Sequence, residues 1–132
     1  MSHTRPWSTQ RYLVVDVEGN GARPPDLVEL GIVPITDGAV GAPVSWLVRP
    51  DAAITPMARR IHGITNDHGA AQPTFEAIHA EVLAYLANVV IVGHNVHIDL
   101  GVLRRKLPDW QPAATLDTLR LARKLLPDLP SH

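Results

Sequence analysis

Three stretches near the start of the chain are dense in β-branched and other apolar residues. Arg11–Glu18 (RYLVVDVE), Asp26–Thr36 (DLVELGIVPIT) and Pro43–Arg49 (PVSWLVR) read as strands. Between the first two, Gly19–Pro25 (GNGARPP) is full of chain breakers and reads as a loop. Asp37-Gly38 is a two-residue hairpin signal, so the three strands are expected to form an antiparallel meander. Beyond Pro50 the pattern changes. Pro56–Ile61 predicts a short helix and Gly63–Gln72 a loop. Thr74 stands where an N-cap belongs, with Glu76 in the first turn. Phe75, Ile78, Val82 and Leu86 then recur at helical spacing, through about Ala87. Val89–Gly93 (VVIVG) is short and apolar throughout, as expected of a strand buried on both faces. Asn95 can cap a helix over Val96–Leu107 whose Leu100, Leu103 and Leu107 face the core and which Pro108 ends. Ala114–Asp117 predicts a short edge strand and Thr118–Leu126 a last helix.

The order β-β-β-α-β-α-β-α predicts an α/β fold. Its mixed sheet starts as an antiparallel three-strand meander and gains parallel strands through helical crossovers. Residues 1–10 are polar, contain Pro6 and read as a flexible arm; residues 11–132 read as one domain.

Composition narrows the chemistry. Aromatic residues make up only 5% of the chain, so the core is expected to be built from Val, Leu, Ile and Ala. There is no cysteine, which removes disulfides, thiolate zinc sites and thiol catalysis and suits a reducing cytoplasm. The N-terminal residues lack the apolar stretch of a signal peptide, and no run approaches the ~18 apolar residues of a membrane span. A formal net charge of −1 argues against holding duplex nucleic acid by charge alone. It is compatible with a local carboxylate site that holds cations.

Asp16-Val17-Glu18 supplies candidate carboxylates. On a strand, Asp16 and Glu18 share one face, while Leu13, Val15 and Val17 share the other. Two carboxylates with α-carbons about 6–7 Å apart on a mostly buried strand repel one another. Divalent cations relieve that conflict, and oxygen ligands suit Mg²⁺ and Mn²⁺. A D-x-E pair also simply ends many strands at the surface. Asp99 adds weight, because it follows the buried strand in the first turn of the next helix, at the carboxyl end where α/β sheets place their sites. Helix-dipole stabilisation would also account for an acid there.

Other features carry less. The spacing of His94 and His97 is not that of a zinc-binding helix. Gly19–Gly21 lacks the lysine and helix of a P-loop. Arg104-Arg105-Lys106 and Arg120, Arg123, Lys124 read as solvated faces, with contact to phosphates as the alternative.

Taken together, the segments resemble the DnaQ-like (DEDDh) 3′–5′ exonucleases. Tyr12–Glu18 (YLVVDVE) is similar to their first motif and Leu27–Ile35 (LVELGIVPI) to their second strand. Ile61–Thr65 (IHGIT), Val92–Asp99 (VGHNVHID) and Asp117–Leu121 (DTLRL) have family counterparts. The resemblance implies a ribonuclease H-like fold and a two-metal site of Mg²⁺ or Mn²⁺ held by Asp16, Glu18 and Asp99. It further implies hydrolysis at the 3′ end of single-stranded DNA or RNA, releasing nucleoside 5′-monophosphates. Gly19, Asn20, Gly21, Ile61, His62, Ile64, His94 and Asn95 are the residues it places around the substrate.

Three departures stand out. The family's third motif, H-x-x-x-x-D, supplies a general-base histidine and a fourth carboxylate, and the sequence stops at Ser131-His132 before it. Gly19-Asn20-Gly21 replaces the family's frequent Thr-Thr-Gly or Thr-Ser-Gly, and Ile98 stands where an aromatic residue is common. The alternative expectation is therefore a catalytically incomplete nucleic-acid-binding domain, or part of a split nuclease completed by a second copy or a partner chain.

Overall fold

β1 (Arg11–Gly19) occupies the middle of the sheet because both of its edges find partners. β2 (Leu27–Thr36) runs antiparallel along one edge, with Asp16 opposite Gly31 and Glu18 opposite Glu29. β5 (Val90–Gly93) runs parallel along the other. β6 (Ala114–Asp117) pairs parallel with β5 and closes that side. The computed structural model describes residues 6–132. The sheet is mixed and flanked by helices, as the element pattern predicts.

The expected third strand is divided. β3 (Ala39–Val40) and β4 (Val44–Leu47) both pair with β2, at its C-terminal and N-terminal parts respectively. Pro34 has no N–H to give that edge, and the pairing breaks there. The turn at Asp37-Gly38 is as predicted, with both residues at positive φ (50° and 78°). A second difference lies in the segment expected to be a loop. Asn66–Ala70 forms a short helix, α2, whose start is capped by the Thr65 hydroxyl accepting from the His68 N–H.

α1 (Pro56–His62) begins with proline in its first turn and ends at Gly63 in the left-handed region. α3 (Phe75–Leu86) buries Phe75, Val82 and Leu86; Thr74 precedes it as expected, though its side chain makes no capping bond. α4 (Val96–Lys106) buries Leu100, Val102 and Leu103. These residues join Leu13, Val15, Leu30 and Ile91 in the main core, and Leu107 lies there as predicted. The core is mostly aliphatic, with Phe75, Trp46 and Trp110 as its aromatic members. Trp46 meets Tyr85 edge-on at 5.6 Å, and the Trp110 indole donates to the Leu86 carbonyl at 2.9 Å.

α5 (Thr118–Leu125) buries none of its side chains. Of the expected N-terminal arm, residues 1–5 lie outside the described residues. Trp7–Thr9 forms a 3₁₀ turn whose Trp7 carbonyl accepts from the Tyr12 hydroxyl at 2.8 Å. Among the described residues no helix is long and apolar enough to cross a membrane.

Candidate active site

The strand pattern delivers Asp16 and Glu18 to the carboxyl end of β1, and the β5–α4 connection delivers Asp99 beside them. Asp99 sits in the first turn of α4 and is largely buried. Gly93, the last residue of β5, makes that approach fit. A Cβ there would stand 2.8 Å from Val96 Cγ2 and 3.4 Å from Asp99 Oδ2.

Two of the three carboxyls are disturbed by burial and by neighbouring charge. Burial pushes the Asp99 carboxyl up to about 7, with Asp16, Glu18 and Asp117 adding to the effect in that order. The Glu18 carboxyl is also raised, first by burial and then by Asp16, while the nearby His62 works the other way. Among the described residues, no hydrogen-bond donor reaches the side chain of Asp16, Glu18 or Asp99. Asp26 shows the contrast. Burial would raise its carboxyl, but Lys106 at 2.7 Å and the backbone N–H groups of Asp51 and Leu27 hold it low. An oxygen-only set that no hydrogen-bond donor among the described residues satisfies fits a hard divalent ion such as Mg²⁺ or Mn²⁺. Among the described residues, no group of three or more His, Cys, Asp or Glu side chains is already gathered into an ion-holding cluster.

Glu18 and Asp99 open into a cleft of about 300 Å³ that runs toward α1. Its walls are largely apolar: Val17, Pro25, Met57, Ala58, Ile61, Ile98 and Val102. Met57, Ile61 and Ile98 remain 67%, 76% and 52% exposed around it, so this mouth carries apolar surface in contact with water. Two devices hold the cleft open. The Ile64 N–H donates to His62 Nδ1 at 3.1 Å, which leaves the ring proton on Nε2, 3.0 Å from the Gly19 carbonyl that accepts it. Thr55 caps α1 by accepting from the Ala58 N–H at 3.2 Å, and its own N–H donates to the Asn20 carbonyl at 2.8 Å. Gly21, at φ 85°, packs against Thr55 so tightly that no side chain fits.

A family model for exonucleases (RNase_T) matches residues 13–132. The chain belongs to this exonuclease family. Its DnaQ-like motifs and ribonuclease H-like sheet are those of the family. Exodeoxyribonuclease 10 of Escherichia coli K12 is 35% identical over 116 residues, covering 88% of this chain and 49% of that protein. The 3′-5′ exonuclease DinG of Bacillus subtilis strain 168 is 30% identical, over 89% of this chain and 13% of its own length. The chain thus spans half or less of each of these relatives. Exonuclease X in complex with 5′-overhanging duplex DNA superposes with a TM-score of 0.73 at 34% identity, covering 92% of this chain and 68% of that one. A product-bound exonuclease I shares the fold, with a TM-score of 0.76 at 23% identity over 91% of this chain and 33% of that one.

Within this exonuclease domain, the cleft gathers Glu18, Gly19, Gly21, Ile61, His62 and Asp99 from the residues singled out in the sequence. Five others stand elsewhere. Asp16 is exposed on β1 and lines a neighbouring groove with Val14, Gly31 and Ser45 rather than the cleft. Asn20 is 0% exposed. Its Oδ1 accepts from the N–H groups of Ala22 (3.1 Å) and Asp26 (2.9 Å), and its Nδ2 lies 3.4 Å from the Ala52 carbonyl, so the side chain serves the loop. Ile64 packs in a second small core with Val28, Ile54 and Ala58. His94 lies on the α5 side, with Nδ1 3.0 Å from the Thr118 hydroxyl. Asn95 precedes α4 in the left-handed region and its side chain makes no capping bond, contrary to the expectation for it. Met57, Thr55 and Val102 line the cleft without having been singled out. Met57 and Ile61 are four residues apart on one face of α1, and that spacing is the signal that could have found Met57.

Proposed function

We propose that this chain carries a divalent-metal-dependent 3′–5′ exonuclease activity on single-stranded DNA ends, releasing nucleoside 5′-monophosphates. The carrying observation is geometric: Asp16 and Glu18 at the carboxyl end of β1 and Asp99 in the first turn of α4 beside it, with Glu18 and Asp99 lining an apolar cleft. Asp16, Glu18 and Asp99 would hold Mg²⁺ or Mn²⁺, which when bound supplies the positive charge that hydrolysis of a phosphodiester requires. The chain's own residues do the rest of the positioning. Met57, Ile61 and Ile98 offer apolar surface to the faces of a terminal base and sugar. Gly19 and Gly21 line the cleft beside these residues, and the His62 latch keeps α1 against the end of β1.

Relatives named exodeoxyribonuclease and DNA polymerase III subunit epsilon support DNA over RNA, with end processing in DNA repair as its setting. The lack of cysteine supports a cytoplasmic location. A second reading is favoured by the apolar side chains that α5 leaves exposed. In it, these residues bind a strand and need a second copy or a partner chain to cut it. Leu121, Leu125 and Leu126, exposed on and after α5, support such a partner surface.

The test is product analysis. Incubation with a single-stranded oligonucleotide and Mn²⁺ should release nucleoside 5′-monophosphates, and Asp99→Asn should abolish the release. A strand that is bound but not shortened would favour the second reading.

A further inference from the structure

The start of α4 raises a question that the cleft does not answer. The Asp99 carboxylate accepts no hydrogen bond among the described residues, so its place depends on where α4 begins. The residue before that helix, Asn95, lies in the left-handed region (φ 63°, ψ 48°) and its side chain caps nothing. The first N–H groups of a helix need acceptors.

They find one in a residue 22 positions further along the chain. Asp117 Oδ1 accepts from the Asn95 N–H at 2.9 Å and, at the start of α5, from the Leu119 N–H at 3.0 Å. Burial alone would raise this carboxyl, yet the N–H groups of Asn95, Leu119, Arg120 and Val96 hold it below the usual aspartate value. The neighbouring Thr118 adds a second tie, its hydroxyl standing 3.3 Å from the Gly93 carbonyl. Gly93 and Asp117 are themselves paired at the ends of β5 and β6. One short segment, Asp117-Thr118, therefore fastens residues 93–95, and Asp99 follows one helical turn later.

We infer that Asp117 is a positioning residue: its carboxylate clasps the starts of α4 and α5 together and so sets where Asp99 stands to meet a cation. The inference rests on the proposed metal-dependent exonuclease reading. Asp117 acts here through Asp99, its Oδ1 engaged by backbone N–H groups at the starts of both helices.

Three variants separate this role from mere stability. Asp117→Asn keeps an acceptor of the same reach. Asp117→Ser can still cap α5 but is too short to span to Asn95, so it should fold even if Asp117→Ala does not. The readouts are Mn²⁺ affinity, measured by titration calorimetry on the protein without nucleic acid, and kcat and KM on a single-stranded oligonucleotide. Asp117→Ser and Asp117→Ala should weaken Mn²⁺ binding about 10- to 100-fold and lower kcat by a similar factor, with KM nearly constant, while Asp117→Asn stays within about threefold of wild type. The proposal is overturned if Asp117→Ser melts earlier than wild type yet matches its Mn²⁺ affinity and its kcat. A wild-type protein that binds Mn²⁺ without hydrolysis still decides the matter through the affinity arm. Failure of the wild type to bind Mn²⁺ at all contradicts the exonuclease reading and this inference with it.

Discussion

Gly93 and Asp99 stand against each other across the β5–α4 connection, with room for a Cβ at position 93 only 3.4 Å from Asp99 Oδ2 and 2.8 Å from Val96 Cγ2. Because the second contact is with a buried side chain, α4 has to move to accept a methyl group. Gly93→Ala is expected to cost about 1–3 kcal/mol of stability. A displacement of Asp99 by even a fraction of an ångström should also lower Mn²⁺-dependent turnover, by about 10- to 100-fold. Thermal melting beside single-turnover kinetics checks both.

The pH dependence of stability follows from the raised Asp99 carboxyl. The folded state holds this proton more tightly than the unfolded chain, from the ordinary 3.8 up to about 7. Without metal, its contribution to stability is therefore undiminished below pH 3.8, falls as pH rises, and is lost above about 7. Asp99→Asn should melt several degrees higher than wild type at pH 8 and close to it at pH 4, a gain on the order of 1–2 kcal/mol after solvent screening. Mn²⁺ should raise the wild-type melting temperature at pH 8 and leave Asp99→Asn nearly unchanged. A variant less stable than wild type at pH 8 would contradict the assignment.

Asn20 is expected to behave as a loop residue rather than a substrate contact. Asn20→Ala leaves the Ala22 and Asp26 N–H groups without their buried acceptor, at a cost of about 2–4 kcal/mol. Denaturant melts should show the loss. A rise in KM with unchanged stability would instead restore the substrate role.

His62 joins the end of β1 to the end of α1. His62→Ala removes an acceptor from Ile64 and a donor from Gly19, so the cleft wall loosens. The expected result is about 1–3 kcal/mol of lost stability and a KM for the oligonucleotide that rises more than kcat falls. Steady-state kinetics with chemical denaturation separates the two.

Much of this was legible in the chain itself. The alternation around Asp16 and Glu18, the apolar run before Gly93 and the position of Asp99 in the first turn of α4 follow from local pattern, and the change from antiparallel to parallel strands follows from the element order. What local pattern could not show was long-range. Asn95 looked like a cap because asparagine often is one, but the actual cap, Asp117, arrives from the far side of α4. The family resemblance placed Asn20 around the substrate, yet its side chain is taken up by the buried backbone N–H groups of its own loop. β3 and β4 separate at Pro34, a break belonging to the partner strand. The helix Asn66–Ala70 was hidden by its glycine and short length, although Thr65 in front of it is an ordinary capping residue.

The central claim is tested most directly by digesting a 5′-labelled single-stranded DNA oligonucleotide with Mn²⁺, wild type beside Asp16→Ala. A ladder shortening from the 3′ end with wild type only is the predicted result. Equal ladders from both proteins, or none from a folded wild type, would contradict the claim that Asp16, Glu18 and Asp99 in this chain support catalysis.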